Sequence, residues 1–430
     1  MVRDEIRPGY KFSEVGNVPE CWEVVDVDHS SFLKGRIGWQ GLTTKEYLSF
    51  GNYLLVTGTE FRDGGIDWGK CHYVSKERFD QDPNIKLRVG DILVTKDGTI
   101  GKIAFINSLP LPATLNSGVF VLRPINDSYY PKYFYYILQS NYFKKFIDIL
   151  KAGSTISHLY QYSFKNFLFP LPPYSEQQKI ARILSNTESL IESLDKLITK
   201  KKHMKWGLMQ TLLTRGIGHT KFKKTEIGEI PDEWSITKAS DIYDIVTGTT
   251  PSTMVKEYWE QGTIEWFTPK DLRYVGSSFS IFQSERKITE KAMIENSLTL
   301  LPSNSILLST RAPVGYVGIN IKEATFNQGC KGLVPKQPEK VDTRFHAFFI
   351  SRKSNFLNTL SGGSTFKELS KDTLGNITLP LPESEEQQKI AKILSETDKE
   401  IESLEQKRDK YKLLKTGMMQ QLLTGGIRVK

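Results

Sequence analysis

A chain of 430 residues, 39% hydrophobic and 25% charged, has the composition of a folded globular protein and is too long for one ordinary core, so two or three domains are expected. Its formal net charge of +9 suits a polyanionic partner, and no apolar run nears the ~20 residues that cross a bilayer, so no membrane role is expected. Cys21, Cys71 and Cys330 lie far apart without CxxC or Cys/His spacing, and the opening MVRDEIRPGYKF has no apolar stretch of a secretory signal. These features predict a reducing, cytoplasmic setting without a structural zinc site.

From the N-terminus, short Ile/Val/Leu-rich runs such as Ile92-Leu93-Val94 end in Gly- or Pro-bearing turns and predict strands. Residues 130–150 have helical spacing. Strands and helices do not alternate regularly, so 1–173 predicts an α+β domain with mainly antiparallel strands. A long helix is predicted over 174–215. The pattern then starts again, with a linker and second domain over 216–382 and a C-terminal long helix over 383–430.

The restart is a duplication. VGNVPECWEVV (15–25) returns as IGEIPDEWSIT (227–237), and DILVTKDGTIGKIAFI (91–106) as SILLSTRAPVGYVGIN (305–320). ATLNSGVFVLRP (113–124) returns as ATFNQGCKGLVP (324–335), and EQQKIA stands at both 176–181 and 386–391. Offsets stay between 210 and 214 along the whole chain.

Pro172-Pro173 and Pro382 precede the long helices, and Ser175 with Gln178 and Ser384 with Gln387 form an S-x-x-Q capping pattern. Ile180, Leu184, Thr187, Ile191, Leu194 and Ile198 then keep a 4–3–4–3–4 spacing, repeated by Ile390, Leu394, Thr397, Ile401 and Leu404. That is a coiled-coil seam, and each needs a facing helix. The economical arrangement is an antiparallel pair between two similar globular domains, an internal duplication with pseudo-two-fold character.

Parts of a catalytic centre are missing from the pattern. Leu171-Pro172-Pro173-Tyr174 has leucine where an amino-methyltransferase loop needs an amide or acid. GTIGKI (98–103) lacks phosphate-loop spacing and reads as a glycine turn. The six histidines show no H-x-x-x-H pair, and carboxylates such as Asp91 and Glu77 are scattered. The expectation is a non-catalytic chain with no metal.

Two basic domains instead suit two separated sites on one DNA duplex. Groove readout uses Arg or Lys for guanine, Asn or Gln for adenine, and Ser or Thr for either. Equivalent loops supply such residues: Thr57 and Arg62 against Thr268, Lys270 and Arg273; Thr95, Lys96 and Lys102 against Thr310 and Arg311; and Ser154, Thr155 and His158 against Ser364, Thr365 and Lys367. The loops differ between copies while the helices stay alike, as expected if the domains read different half-sites. The alternative is a scaffold that binds DNA without sequence preference.

The strings IVTGTTPSTMVKEYWEQGTIEWFTPKDL (245–272) and GRIGWQGLTTKEY (35–47), with the doubled PLP…SEQQKIA-type helix openings, resemble the specificity subunit of type I restriction–modification enzymes over nearly the full length. The resemblance implies two target-recognition domains, each reading one part of a split, asymmetric site, and two long helices whose length sets the gap. It also implies two methyltransferase subunits using S-adenosylmethionine and ATP-hydrolysing restriction subunits with Mg as partners, so that the cofactors belong to those subunits.

Overall fold

The computed structural model describes residues 8–37, 40–152, 158–273, 279–311, 313–361 and 368–429. The chain forms two compact units, residues 1–193 with 409–430, and residues 194–408. Each unit therefore contains one mixed domain and one half of each long helix, where the sequence reading treats the helices as separate segments.

In the first unit, Ile92–Thr95 lies inside a four-stranded antiparallel sheet in the order 103–105, 92–95, 119–124, 31–35. Successive side chains point to opposite faces. Ile92, Val94, Phe120 and Leu122 enter an aromatic core with helices Pro131–Gln139 and Asn141–Ala152. Leu93, Ala104, Val119 and Val121 enter another core, against the sheet formed by 54–56, 72–73 and 113–115. Burial on both faces explains why these strands read as unbroken apolar runs.

The second unit repeats the plan. Its five-stranded sheet runs 243–247, 330–335, 306–309, 317–320, 280–281, beside a three-stranded sheet of 287–288, 264–267 and 325–326. Ile306 and Leu308 face one core, and Leu307 faces another. Antiparallel pairing predominates, but Leu54–Val56 with Ala113–Leu115, Ile264–Phe267 with Thr325–Phe326, and Ser280–Ile281 with Val317–Asn320 pair in parallel.

The helical spacing over 130–150 resolves into two helices. Ser140 adopts extended backbone, and its N–H and hydroxyl both return to Ile137 O, closing the first helix. In the second copy Lys353 ends Thr343–Arg352 ahead of Ser354–Leu360.

The repeated EQQKIA has a specific use. The central helix spans Tyr174–Arg215 and the C-terminal helix Ser384–Leu423. Glu176 accepts from Trp22 Nε1 at 3.1 Å and from both Arg428 Nε and Nη2 at 2.7 Å. Glu386 accepts from Trp234 Nε1 at 2.9 Å, from Ile217 N at 2.8 Å, and lies 3.0 Å from His219 Nε2. Gln177 donates to Pro172 O and accepts from Tyr130 N; Gln387 donates to Pro382 O and accepts from Asp342 N. Ile180, Ala181 and Leu184, like Ile390, Ala391 and Leu394, then enter the cores.

The S-x-x-Q capping pattern is thereby corrected. Ser384 is already the first helical residue and donates its hydroxyl to Glu339 O, and the first-turn glutamines that hold backbone are Gln177 and Gln387. Ser175 and Gln178 are exposed in the first turn. A buried amide that bridges two backbone groups outcompetes a solvent-facing cap.

The two helices run antiparallel within each unit. In the second unit Asp195 meets Arg408, Lys201 meets Glu400 and Lys205 meets Asp398, at 3.4, 2.7 and 2.6 Å. In the first, Glu188 meets Lys415 at 2.7 Å. Of the predicted seam, Ile180, Leu184, Leu194, Ile198, Ile390, Leu394 and Ile401 are buried, while Ile191 and Leu404 are half-buried. Thr187 and Thr397 turn their hydroxyls back to Ile183 O and Ile393 O. Beyond the apolar stretch, Lys201 and Lys205 continue the spacing of the central helix and Arg408 and Lys415 that of the C-terminal helix, each with its charged end at a carboxylate of the facing helix.

Candidate nucleic-acid interface

The candidate residues sit on turns built around buried carboxylates and hydroxyls. After strand Leu54–Val56, Glu60 is 3% exposed and accepts from Thr57 N, Thr57 Oγ1 and Gly58 N at 3.0, 2.8 and 3.1 Å. After Ile264–Phe267, Asp271 accepts from Thr268 N and Oγ1 at 2.8 and 2.6 Å. Thr57 and Thr268 therefore spend their protons on the fold. Thr59, Lys270 and Arg273 are the exposed residues of these turns, and the Thr59 hydroxyl also donates to Glu60, at 2.7 Å.

The next turn corrects the pairing of the copies. Thr95 donates to Thr99 O and accepts from Lys102 N, and Ser309 donates to Pro313 O and accepts from Tyr316 N. Thr95 is thus the counterpart of Ser309, Lys96 of Thr310, and Asp97 of Arg311. Gly101 and Gly315, at φ of +84° and +98°, close the two turns as a glycine best can.

Thr95, 4% exposed, and Thr310, fully buried, are removed as candidates for base contact because their hydroxyls lie inside the domain. Lys96 is half-buried with its amine 5.0 Å from the centre of the Phe120 ring. Burial holds its pKa below the usual lysine range, partly offset by Asp97. Lys102 is exposed.

The remaining residues fall in three places. Arg62 is exposed on the hairpin 61–66, with Asp67 at 3.7 Å. Lys270 contacts Glu285 at 2.6 Å, and Arg273 ends the short helix Pro269–Arg273. Ser154, Thr155, Ser364, Thr365 and Lys367 lie outside the described residues.

Each unit brings its loops together. In the first, a Cβ on Gly118 would stand 3.5 Å from Thr57 O and 3.7 Å from Asp97 Oδ2, and Asp97 pairs with His158. In the second, Thr310 N and Arg311 N both donate to Gly329 O, while a Cβ on Gly329 would stand 3.1 Å from the Pro269 ring. There Arg311 Nε donates to Glu368 Oε2 at 3.0 Å, and Lys331 Nζ donates to Glu368 Oε1 at 3.3 Å. Burial pushes the Glu368 carboxyl up, but Arg311 and Lys331 outweigh it and hold the group below the usual range.

His158 and Glu368 occupy equivalent positions, as do Asp97 and Arg311, so the same contact is made with its carboxylate on the opposite side. Sequence reasoning missed Asp97, Lys331 and Glu368. The signal was the 214-residue offset at this turn, which aligns Asp97 with Arg311.

Among the described residues, no group of three or more His, Cys, Asp or Glu side chains could hold a metal, and no helix is long and apolar enough to cross a membrane. Buried Cys71 has its thiol pushed up to about 12 by desolvation, and Cys330 is buried likewise.

Duplicated α+β domains, each carrying its own loop cluster and half of an antiparallel helix pair, define a two-site recognition protein. Residues 42–201 and 231–412 match the type I restriction modification DNA specificity domain, and the chain belongs to that family. It is 32% identical, over 98% of its length and 97% of the relative's, to a Methanocaldococcus jannaschii protein assigned provisionally as the MjaX type I restriction enzyme specificity subunit. It is 30% identical to the MjaVIII specificity subunit of the same organism, covering 96% of this chain and 94% of that one. In fold it resembles the crystal structure of an S subunit from M. genitalium, with TM-score 0.59 at 15% identity, covering 94% of this chain and 96% of that one.

Proposed function

We propose that this chain is the DNA-specificity subunit of a type I restriction–modification complex, each domain reading one half of a bipartite, asymmetric site. The observation that carries this reading is the exchanged contact, Asp97 with His158 in one unit and Arg311 with Glu368 in the other. One frame presents unlike chemistry at equivalent places, which is what two unlike half-sites require. The antiparallel helix pair sets the gap between the half-sites. Methyltransferase and restriction subunits supply the catalysis, with S-adenosylmethionine, ATP and Mg held by them, and this chain contributes recognition alone.

The test is a binding selection from randomised duplex DNA with the full chain and its modification subunit. Two short, unlike motifs at a constant gap support the reading. Salt-sensitive binding without a motif leaves a DNA-binding scaffold in its place.

A further inference from the structure

We infer that Arg311 reads a guanine in one half-site, with Glu368 and Lys331 acting as positioning residues. The inference rests on the recognition function proposed above. Arg311 is half-exposed at the head of the second unit's loop cluster, and its Nε is committed to Glu368. Glu368 is itself held by Lys331, whose side chain is 5% exposed on strand Cys330–Pro335.

This chain of contacts fixes the guanidinium plane from behind. Among the described residues no hydrogen bond engages either terminal nitrogen of Arg311, whose side chain is 47% exposed, which leaves the two-pronged edge of the fork to an outside partner. Such an edge matches the O6 and N7 acceptors of guanine. It would match a phosphate as well, but the Glu368 carboxylate beside it repels a phosphate anion and leaves a neutral base edge unaffected. In the first unit the equivalent residue is Asp97, an acceptor without N–H groups, so the first half-site cannot use the same contact.

The experiment repeats the selection, and titrates the selected duplex and its single-base variants, for the native chain and for Arg311→Ala, Arg311→Lys and Glu368→Ala. The native chain is expected to select a guanine that Arg311→Ala no longer prefers, with discrimination at that base pair falling about 10- to 100-fold. The other half-site and the gap should be unchanged. Arg311→Lys keeps the charge without the fork and should lose most of the same preference. Glu368→Ala frees the fork and lifts the repulsion of phosphate, and that preference should weaken while the salt dependence of binding becomes no shallower. An unchanged thermal unfolding midpoint would show that each variant is folded.

An equal loss on every sequence, with the salt slope reduced by about one, would make Arg311 a phosphate contact and overturn the inference. A native chain that selects two motifs, with Arg311→Ala leaving both intact, would overturn it too while sparing the proposed function. A native chain that selects nothing would remove both.

Discussion

Trp22 and Trp234 are buried because each finds a carboxylate in the first turn of a long helix, and each carboxylate gathers a second side chain from the chain that follows the other helix's end, Arg428 or His219. Sequence reasoning could pair the tryptophans and see the repeated glutamate, but not that they touch, since Trp22 and Glu176 are 154 residues apart. His346 shows a chemical difference between the copies. It is fully buried, with its Nδ1 accepting from Tyr243 OH at 2.8 Å and its Nε2 donating to Pro380 O at 3.0 Å. At the equivalent carbonyl in the first unit, Pro170 O, the donor is the hydroxyl of Tyr133. Burial lowers the His346 pKa to about 4 from its ordinary 6.5. The unfolded chain therefore takes the proton first, so this stabilisation is complete above pH 6.5 and is lost as pH falls toward 4, by about 3 kcal/mol in all. Urea unfolding followed by tryptophan fluorescence at pH 7.5 and 5.0 checks this. The second unit's midpoint should fall at the lower pH, and His346→Phe, though less stable throughout, should show a smaller fall. An undiminished fall in the variant would assign the effect to other groups.

The helix pair is where patterning and tertiary structure part company. The 4–3 spacing predicts an apolar seam, and Ile180, Leu184, Leu194, Ile198, Ile390, Leu394 and Ile401 on it are buried, as are Ala181, Ala391 and Asp398 off it. It stopped at the charged stretches, where the structure places equivalent nodes. Lys205 reaches Asp398 at 2.6 Å and lies 5.6 Å from the Phe348 ring, and Lys415 reaches Glu188 at 2.7 Å and lies 5.5 Å from the Tyr136 ring. Each node ties two helix halves to a helix of the same unit's domain. Asp398 is 1% exposed, whereas Glu188 is 19% exposed and also receives Tyr136 OH at 2.9 Å, with Lys132 Nζ at 3.8 Å. Lys205→Met removes an ion-pair partner from a carboxylate that is 1% exposed and should cost up to about 3–5 kcal/mol. Lys415→Met leaves Glu188 two partners and should cost about 1 kcal/mol. Denaturant titration of both variants tests the contrast, and adding Asp398→Leu to Lys205→Met should restore most of the loss. Equal costs would mean that burial of the carboxylate does not govern the node.

At the scale of the whole chain, the +9 charge sets the expectation for association with DNA. If the two units together neutralise some 6–10 phosphates, affinity should fall roughly 1,000- to 100,000-fold between 50 and 200 mM salt, as a titration by fluorescence anisotropy would report. A shallow salt slope would place most of the basic residues away from the backbone. The duplication, the α+β character, the two long helices and the seam were all readable from the sequence, because repeats, apolar periodicity and proline are local signals. Which loop residues are available was not. Thr95 and Thr310 are the same residue types as an exposed DNA contact, and only the packing of their turns shows that their hydroxyls are consumed inside the domain. Arg311 and Glu368 stand 57 residues apart and become one unit of chemistry through the fold. Periodicity reports which face of an element is buried; the partner of a polar side chain is set by what tertiary contact brings within hydrogen-bond reach, and only the folded chain decides that.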